Sequence, residues 1–211
     1  MQSSINLLSE TQLPTREALF RLRYYEESMS GEAYLVLLLG DLEQSQDNPP
    51  LLRLHSSCTT GDIFGSLRCD CQAQMHAALR AIAQEGRGIF LYLPQEGRGI
   101  GLAGKLQAYK LQEQGYDTVD ANQHLGYPVD ARSYTTAVAI LQEMQITHAR
   151  LMTNNPEKIE ALQAHGIHAE RVPLEIPPNA SNIFYLRTKR ERMGHLLTIL
   201  PERKDIDPKL L

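Results

Sequence analysis

Tryptophan is missing from this 211-residue chain, aromatic residues amount to 6%, and cysteine occurs only three times. The missing tryptophan excludes nothing, but other scarcities do. No apolar run approaches the ~18 residues of a membrane span; the longest, Tyr34 to Gly40, has the length of a strand. Basic residues do not outnumber acidic ones. The net charge of −4 argues against a general nucleic-acid binder, while leaving room for local basic residues to hold a small polyanion. The opening MQSSINLLSETQLPT has neither the basic start nor the long apolar stretch of a signal peptide, so a cytoplasmic, reduced protein is expected. There is no internal repeat and no low-complexity segment. At this length one substantial core, or at most two small ones, is expected.

What the chain does have is a cluster. Cys58, Cys69 and Cys71 form a C-x(10)-C-x-C pattern, with no cysteine elsewhere. A Cys69–Cys71 disulfide would close a strained ring. Three thiolates without a fourth match an open metal site, since catalytic zinc takes three protein ligands and structural zinc four. Sulfur donors select zinc over magnesium or calcium. Two readings remain beside it: two buried structural thiols with a stray third, and a closed structural site completed by His55, spaced H-x-x-C before Cys58.

Around the cluster, hydrophobic periodicity alternates strand and helix. Glu43 to Leu51 reads as a polar loop, and Leu51 to His55 as a strand. Gln72 to Gln84 has helical spacing, Gly88 to Pro94 is a buried strand, and Leu102 to Gln114 a helix. A loop is expected from Asp117 to Val129. Ser133 to Met144 follows as helix, Ala149 to Thr153 as strand, Pro156 to His165 as helix, and His168 to Val172 as strand. A last helix, Tyr185 to Leu197, is expected to pack back on this α/β domain with a mixed sheet. One domain over 1–200 and a charged, flexible tail over 201–211 complete the expectation.

Three polar segments interrupt the pattern. Glu96 to Gly101, EGRGIG, lies between a strand and a helix, where backbone amides and a helix N-terminus can face an anion. It is neither the dinucleotide fingerprint nor a P-loop. Arg98, between glycines, is free to meet phosphate oxygens bidentately; Lys105 and Arg87 read as surface charges. Asp130-ARSY-Tyr134 precedes a helix, and Thr153-NNPEK-Lys158 reads as a capped helix start with a surface lysine or as a phosphate or base contact.

Taken together, these blocks resemble GTP cyclohydrolase II in its stand-alone form. The matching segments, in the family's order from Leu51 to Leu197, are RLHSSCTTGD, SLRCDCQAQ, PQEGRGIGL, AYKLQEQGYDTVDAN, LGYPVDARSY, LMTNNPEK and KRERMGH. The resemblance implies the first step of riboflavin biosynthesis. GTP is hydrolysed with zinc and magnesium, releasing formate and pyrophosphate and leaving 2,5-diamino-6-(5-phosphoribosylamino)pyrimidin-4-one. It implies Zn2+ on Cys58, Cys69 and Cys71, where bound water becomes acidic enough to attack carbon 8, and Mg2+ with the phosphates. GTP-binding positions carry over to Arg53, His55, Ser56, Ser57, Gln74, Glu96, Gly97, Arg98, Thr118, Thr153 and Lys158. Of these, Glu96 suits the guanine amino and ring NH groups. Asp130 matches the proton-transfer residue and Arg132 the proposed nucleophile on the α-phosphorus, although charge stabilisation is the more ordinary role for a guanidinium. Tyr109 matches a tyrosine of the later ring-opening steps. A homodimer is also implied.

The chain departs from the family pattern at Ser57, where glutamate usually precedes the first cysteine, and at Gln72, where glycine usually follows the last. Ser57 keeps open a paralogue that stops at a formamidopyrimidine nucleotide or takes another nucleotide. A non-catalytic, zinc-stabilised nucleotide binder is the remaining alternative, against which Asp130 and Arg132 count.

Overall fold

The computed structural model describes residues 4–42 and 48–201. The tail expected beyond Pro201 and most of the polar loop after Leu42 lie outside the described residues. Within the span expected to form one domain, the chain gathers into two compact units, each discontinuous in sequence. Among the described residues, the first comprises 4–42, 48–57, 75–94 and 133–174; the second comprises 58–74, 95–132 and 175–201.

The first unit holds a seven-stranded mixed sheet. Its strands are β1 (Ile5–Pro14), β2 (Leu19–Glu27), β3 (Ala33–Leu39), β4 (Leu51–Ser56), β5 (Gly88–Leu93), β6 (His148–Met152) and β7 (His168–Val172), in the order β1-β2-β3-β5-β4-β6-β7. The first three form an antiparallel meander, and β3 joins β5 antiparallel. The β5-β4-β6-β7 half is parallel. Parallel strands need helical crossovers, which cover both faces. These are α1 (Cys71–Glu85), α4 (Thr135–Glu143) and α5 (Pro156–Gln163).

Side-chain alternation along the strands sorts the core into two layers. Leu52 and Leu54 of β4, with Ile89, Leu91 and Leu93 of β5, pack with Val138, Leu141 and Leu162 of α4 and α5. Leu51 and Phe90 pack on the other side with Ala78 and Ile82 of α1. Since Arg53 and His55 follow Leu51 at intervals of two, they point to the α1 face, opposite Phe90 and Tyr92 in the register. The hydrophobic pattern of the central strands thus already decides where these two polar side chains go.

The second unit carries α2 (Gly101–Gln112), α3 (Thr118–His124) and α6 (Ile183–Met193), with loops between them. Two expectations are corrected here. The segment after Asp117 is not all loop: the Asp117 carboxylate accepts from the amides of Val119 and Asp120 and starts α3. The last helix ends at Met193 rather than Leu197, because Gly194 adopts a left-handed φ of 65° that terminates it. Leu197 and Leu200 fold back on Leu186 as a small apolar cluster.

Candidate functional site

The three cysteines converge in the second unit. Leaving Cys58, the chain makes a π-helical turn, Thr59–Ile63, held by the Cys58 amide donating to the Asp62 carboxylate at 2.9 Å. This turn wraps the sulfurs tightly. A Cβ on Gly61 would stand 2.9 Å from Cys69 Sγ and 3.1 Å from Cys58 Sγ, so only glycine fits. Cys69 and Cys71 are brought in by the loop opening α1. The three Sγ atoms lie within 4.8 Å of one another, and those of Cys58 and Cys69 are 3.7 Å apart. Two thiolates on tetrahedral zinc, at ~2.3 Å each, stand about 3.8 Å apart; the Cys58–Cys69 separation matches this, and the donor set fits such an ion. Among the described residues this metal-ligating group consists of the three cysteines alone.

Their charges are unevenly held. Mutual hydrogen bonding with Cys69 and Cys71, together with Lys105, pulls Cys58 far below the ordinary thiol range. Cys69, bonded to Cys58, is pushed up to about 11. Lys105, expected at the surface, is instead partly buried on α2. Its Nζ donates to Cys58 Sγ at 3.0 Å and to Glu96 Oε1 at 2.8 Å. Burial works against its charge, but these two acceptors outweigh it and raise its pKa. Glu96 also accepts from the Thr59 amide at 2.5 Å and from its neighbour Gly97 at 2.9 Å. A carboxylate offers about four acceptor positions, so guanine donors would share an already occupied group.

Tyr109 sits one helical turn beyond Lys105, on the same face of α2. Its hydroxyl lies 3.5 Å from Thr60 Oγ1, which in turn lies 3.7 Å from Cys58 Sγ. Burial raises its pKa, and the cysteine thiolates add to that, so the phenol stays protonated.

The EGRGIG loop is wound, not slack. Gly97, Arg98 and Gly99 have φ of 61°, 60° and 88°. For arginine a left-handed backbone costs ~1–2 kcal/mol. The loop backs onto the Asp130 segment: the Ala131 amide donates to Arg98 O at 3.0 Å, and a Cβ on Gly99 would meet the Ala131 carbonyl at 3.0 Å. Arg98 Nη1 and Nη2 are buried with no hydrogen-bond partner among the described residues, while the guanidinium lies 5.5 Å from the Tyr185 ring centre. A strained backbone and unsatisfied N–H groups thus coincide at one arginine.

Asp130 and Arg132 form a bidentate pair. Arg132 Nε donates to Asp130 Oδ1 at 2.9 Å and Nη2 to Oδ2 at 2.5 Å, and the Arg132 amide adds a third bond. Burial raises the Asp130 pKa, yet the hydrogen bonds and charge of Arg132, helped by Arg98, bring it below the ordinary value. The carboxylate is therefore ionised and the guanidinium firmly protonated.

Gln74 is tied to the cysteine loop: its Nε2 donates to Asp70 Oδ2 at 2.6 Å. Asp70, between Cys69 and Cys71, is buried, and Lys189 of α6 donates to its other oxygen at 3.1 Å. Thr118 opens α3.

The remaining expected site residues belong to the first unit. Arg53 is buried, with Nη1 donating to Met152 O at 2.8 Å. His55 stacks on Phe90 and Tyr92 at 5.5 and 5.6 Å. Ser56 ends β4, and the Ser57 amide donates to Leu93 O at 2.8 Å. Thr153 caps the turn after β6, where its Oγ1 accepts from the Asn155 amide at 3.0 Å. Lys158 is no surface lysine: it is buried, donating to Leu54 O at 2.7 Å beneath the Tyr134 ring. Ser56, Ser57 and Thr153 sit at the carboxyl ends of parallel strands, where open α/β sheets bind ligands.

Sequence reasoning missed Lys105, Asp70 and Lys189. The available signal for Lys105 was its i, i+4 spacing from Tyr109. For the buried Asp70–Lys189 pair, separated by most of the chain, there was none.

The sequence model of a known family, GTP cyclohydrolase II, matches residues 6–173. A protein of Parabacteroides distasonis named "Riboflavin biosynthesis protein RibBA" is 52% identical over 189 residues, covering 89% of this chain and 46% of that protein. One of the same name from Bacillus cereus is 49% identical over 191 residues, covering 90% and 48%. The chain spans about half the length of the curated relatives it matches. A crystal structure of RibBX, a two-domain 3,4-dihydroxy-2-butanone 4-phosphate synthase from A. baumannii, aligns with a TM-score of 0.49 at 16% identity. It covers 82% of this chain and 41% of that one, a likeness too slight to bear on chemistry.

Proposed function

Because the chain belongs to the GTP cyclohydrolase II family, we propose that it hydrolyses GTP, opening the guanine imidazole ring with loss of formate and pyrophosphate, as the first step of riboflavin biosynthesis. The observation that carries this reading is the triangle of Cys58, Cys69 and Cys71 sulfurs at zinc-ligand spacing, with no fourth donor in the group. Zinc held there would supply an acidic water for attack at carbon 8.

The chain's own residues take the other roles. Arg98 offers two unpaired, buried N–H ends suited to phosphate oxygens, with Mg2+ neutralising the rest of the triphosphate charge. Arg132, locked as a cation by Asp130, is suited to stabilising charge on the departing pyrophosphate; the ion pair works against its acting as a nucleophile. Asp130 as a proton acceptor would first have to be freed from that pair. Tyr109, a neutral phenol near the sulfurs, can donate a proton in the later steps. Glu96 and Gly97 are assigned to the guanine edge, Gln74 and Thr118 to further contacts. Arg53, His55, Ser56, Ser57, Thr153 and Lys158 are assigned to nucleotide binding on the family resemblance. The same resemblance carries a homodimer, and a cytoplasmic setting is proposed beside it. The net charge of −4 favours a small-molecule partner over nucleic acid, and no described helix is long and apolar enough to cross a membrane.

Incubation with GTP, zinc and magnesium, followed by mass spectrometry of the nucleotide, tests the proposal. A deformylated pyrimidine monophosphate is expected. A nucleotide retaining the formyl group would replace the reading with an arrested ring-opening enzyme, and intact GTP would overturn it.

A further inference from the structure

Lys105 stands where two parts of the second unit meet. Its ammonium touches the first cysteine of the cluster, at 3.0 Å, and the first residue of the EGRGIG loop, at 2.8 Å. Both distances are those of charge-assisted hydrogen bonds, and the side chain of Lys105 is only 12% exposed. The ammonium also lies 5.8 Å from the centre of the Tyr109 ring. Long, rotamer-rich lysine side chains are rarely buried without a specific partner. Here α2 supplies the rigidity: Gly104, next to Lys105, and Ala108, three residues on, are buried and fix the helix.

We propose that Lys105 is a positioning residue for the metal and nucleotide chemistry, acting through Cys58 and Glu96. Three thiolates around a divalent ion leave one surplus negative charge, on sulfurs of which Cys58 is buried and Cys69 and Cys71 partly so. The ammonium offsets part of it, sharing its charge between the Cys58 sulfur and the Glu96 carboxylate. An N–H···S bond also draws electron density from the Cys58 thiolate, so that sulfur donates less to the metal, and the metal keeps more of its power as a Lewis acid. This answers the weakness of an all-sulfur donor set, whose negative charge blunts that power. Through its second bond the same ammonium holds the Glu96 carboxylate in one orientation, with the Thr59 and Gly97 amides completing the grip. Metal ligand and nucleotide-facing loop are thereby tied to a single side chain. The inference rests on the three cysteines holding a metal.

The test compares wild type with Lys105→Gln, which keeps a donor but no charge, and Lys105→Arg, which keeps the charge. The cobalt(II)-substituted proteins report the thiolate directly through their sulfur-to-metal charge-transfer bands. In Lys105→Gln these bands shift to lower energy, and zinc affinity, measured by competition with a chelator, rises, because the thiolate donates more fully and the ion loses a like-charged neighbour. Lys105→Arg restores most of both. Circular dichroism melts check that each variant is folded; if Lys105→Gln is not, Lys105→Met, which keeps the aliphatic stem, takes its place in the same comparison. Unchanged bands and affinity in the neutral variant would overturn the role of Lys105 while leaving the metal site standing. A wild-type protein that binds neither zinc nor cobalt would instead overturn the metal reading beneath it.

Discussion

Replacing Gly61 with alanine asks one methyl group to enter the space between the three sulfurs. Its Cβ would lie 2.9 Å from Cys69 Sγ, 3.1 Å from Cys58 Sγ and 3.2 Å from Cys71 Cβ, all inside ordinary contact. Gly61 is not among the glycines with positive φ, so alanine suffers no backbone penalty there and the effect is purely steric. The turn cannot retreat easily, because the Cys58 amide is fixed on Asp62 and Gly65 N on Gly61 O. Overpacking of this kind costs ~1–3 kcal/mol. If the sulfurs are displaced to relieve it, metal affinity bears that cost, a loss of roughly 5- to 150-fold at about 1.4 kcal/mol per decade. Chelator competition followed by elemental analysis measures it. Gly115→Ala is the control: its φ of 98° strains alanine, but no atom stands near its Cβ. That variant should melt a few degrees lower, for ~1 kcal/mol, with metal affinity intact. Zinc affinity within twofold of wild type in Gly61→Ala would refute the closed triangle of sulfurs.

Other predictions follow from the same geometry. Arg98→Gly relieves a left-handed arginine and removes a buried, unpartnered guanidinium; the melting temperature should hold or rise while GTP binding weakens by roughly 10- to 150-fold, the value of a charged hydrogen bond. A parallel fall in both would make Arg98 structural. Asp70→Asn leaves the Lys189 ammonium buried beside a neutral group, a change that costs ~3–5 kcal/mol in urea unfolding, and adding Lys189→Met should recover part of the loss. His195 is held at about 3 by burial and by the charges of Lys189, Arg132 and Arg98. With a folded pKa below the unfolded one, its contribution is complete above about pH 6.5 and is lost as pH falls towards 3. His195→Leu should flatten that part of the stability profile; an unaltered profile would show the imidazole to be solvated.

The parallel half of the fold was legible because its strands are short apolar runs between helical periods, bounded by glycine and proline. His168 to Val172 is recovered residue for residue. Of the antiparallel meander only β3 left a mark, as the strand-length run from Tyr34 to Gly40; β1 lies at the sheet edge with most side chains exposed, so it has no inward face to imprint a pattern. The helix after Asp117 is two turns long and carries little periodicity. In the site, the cysteine spacing pointed to a metal because thiolates close in sequence are close in space. Lys105 was hidden for the opposite reason. Lysine is usually solvated, and nothing local tells that Cys58, 47 residues earlier, will be its acceptor. Arg132 was recognisable as important, but only its bidentate grip on Asp130 shows that it stays a cation.

The most direct test of the central claim uses GTP labelled with carbon-13 at position 8. Zinc-loaded protein with magnesium should move the label into free formate, one per GTP consumed, and Cys69→Ser or a chelator should stop the transfer. Label remaining in the nucleotide while zinc occupies the site would contradict it.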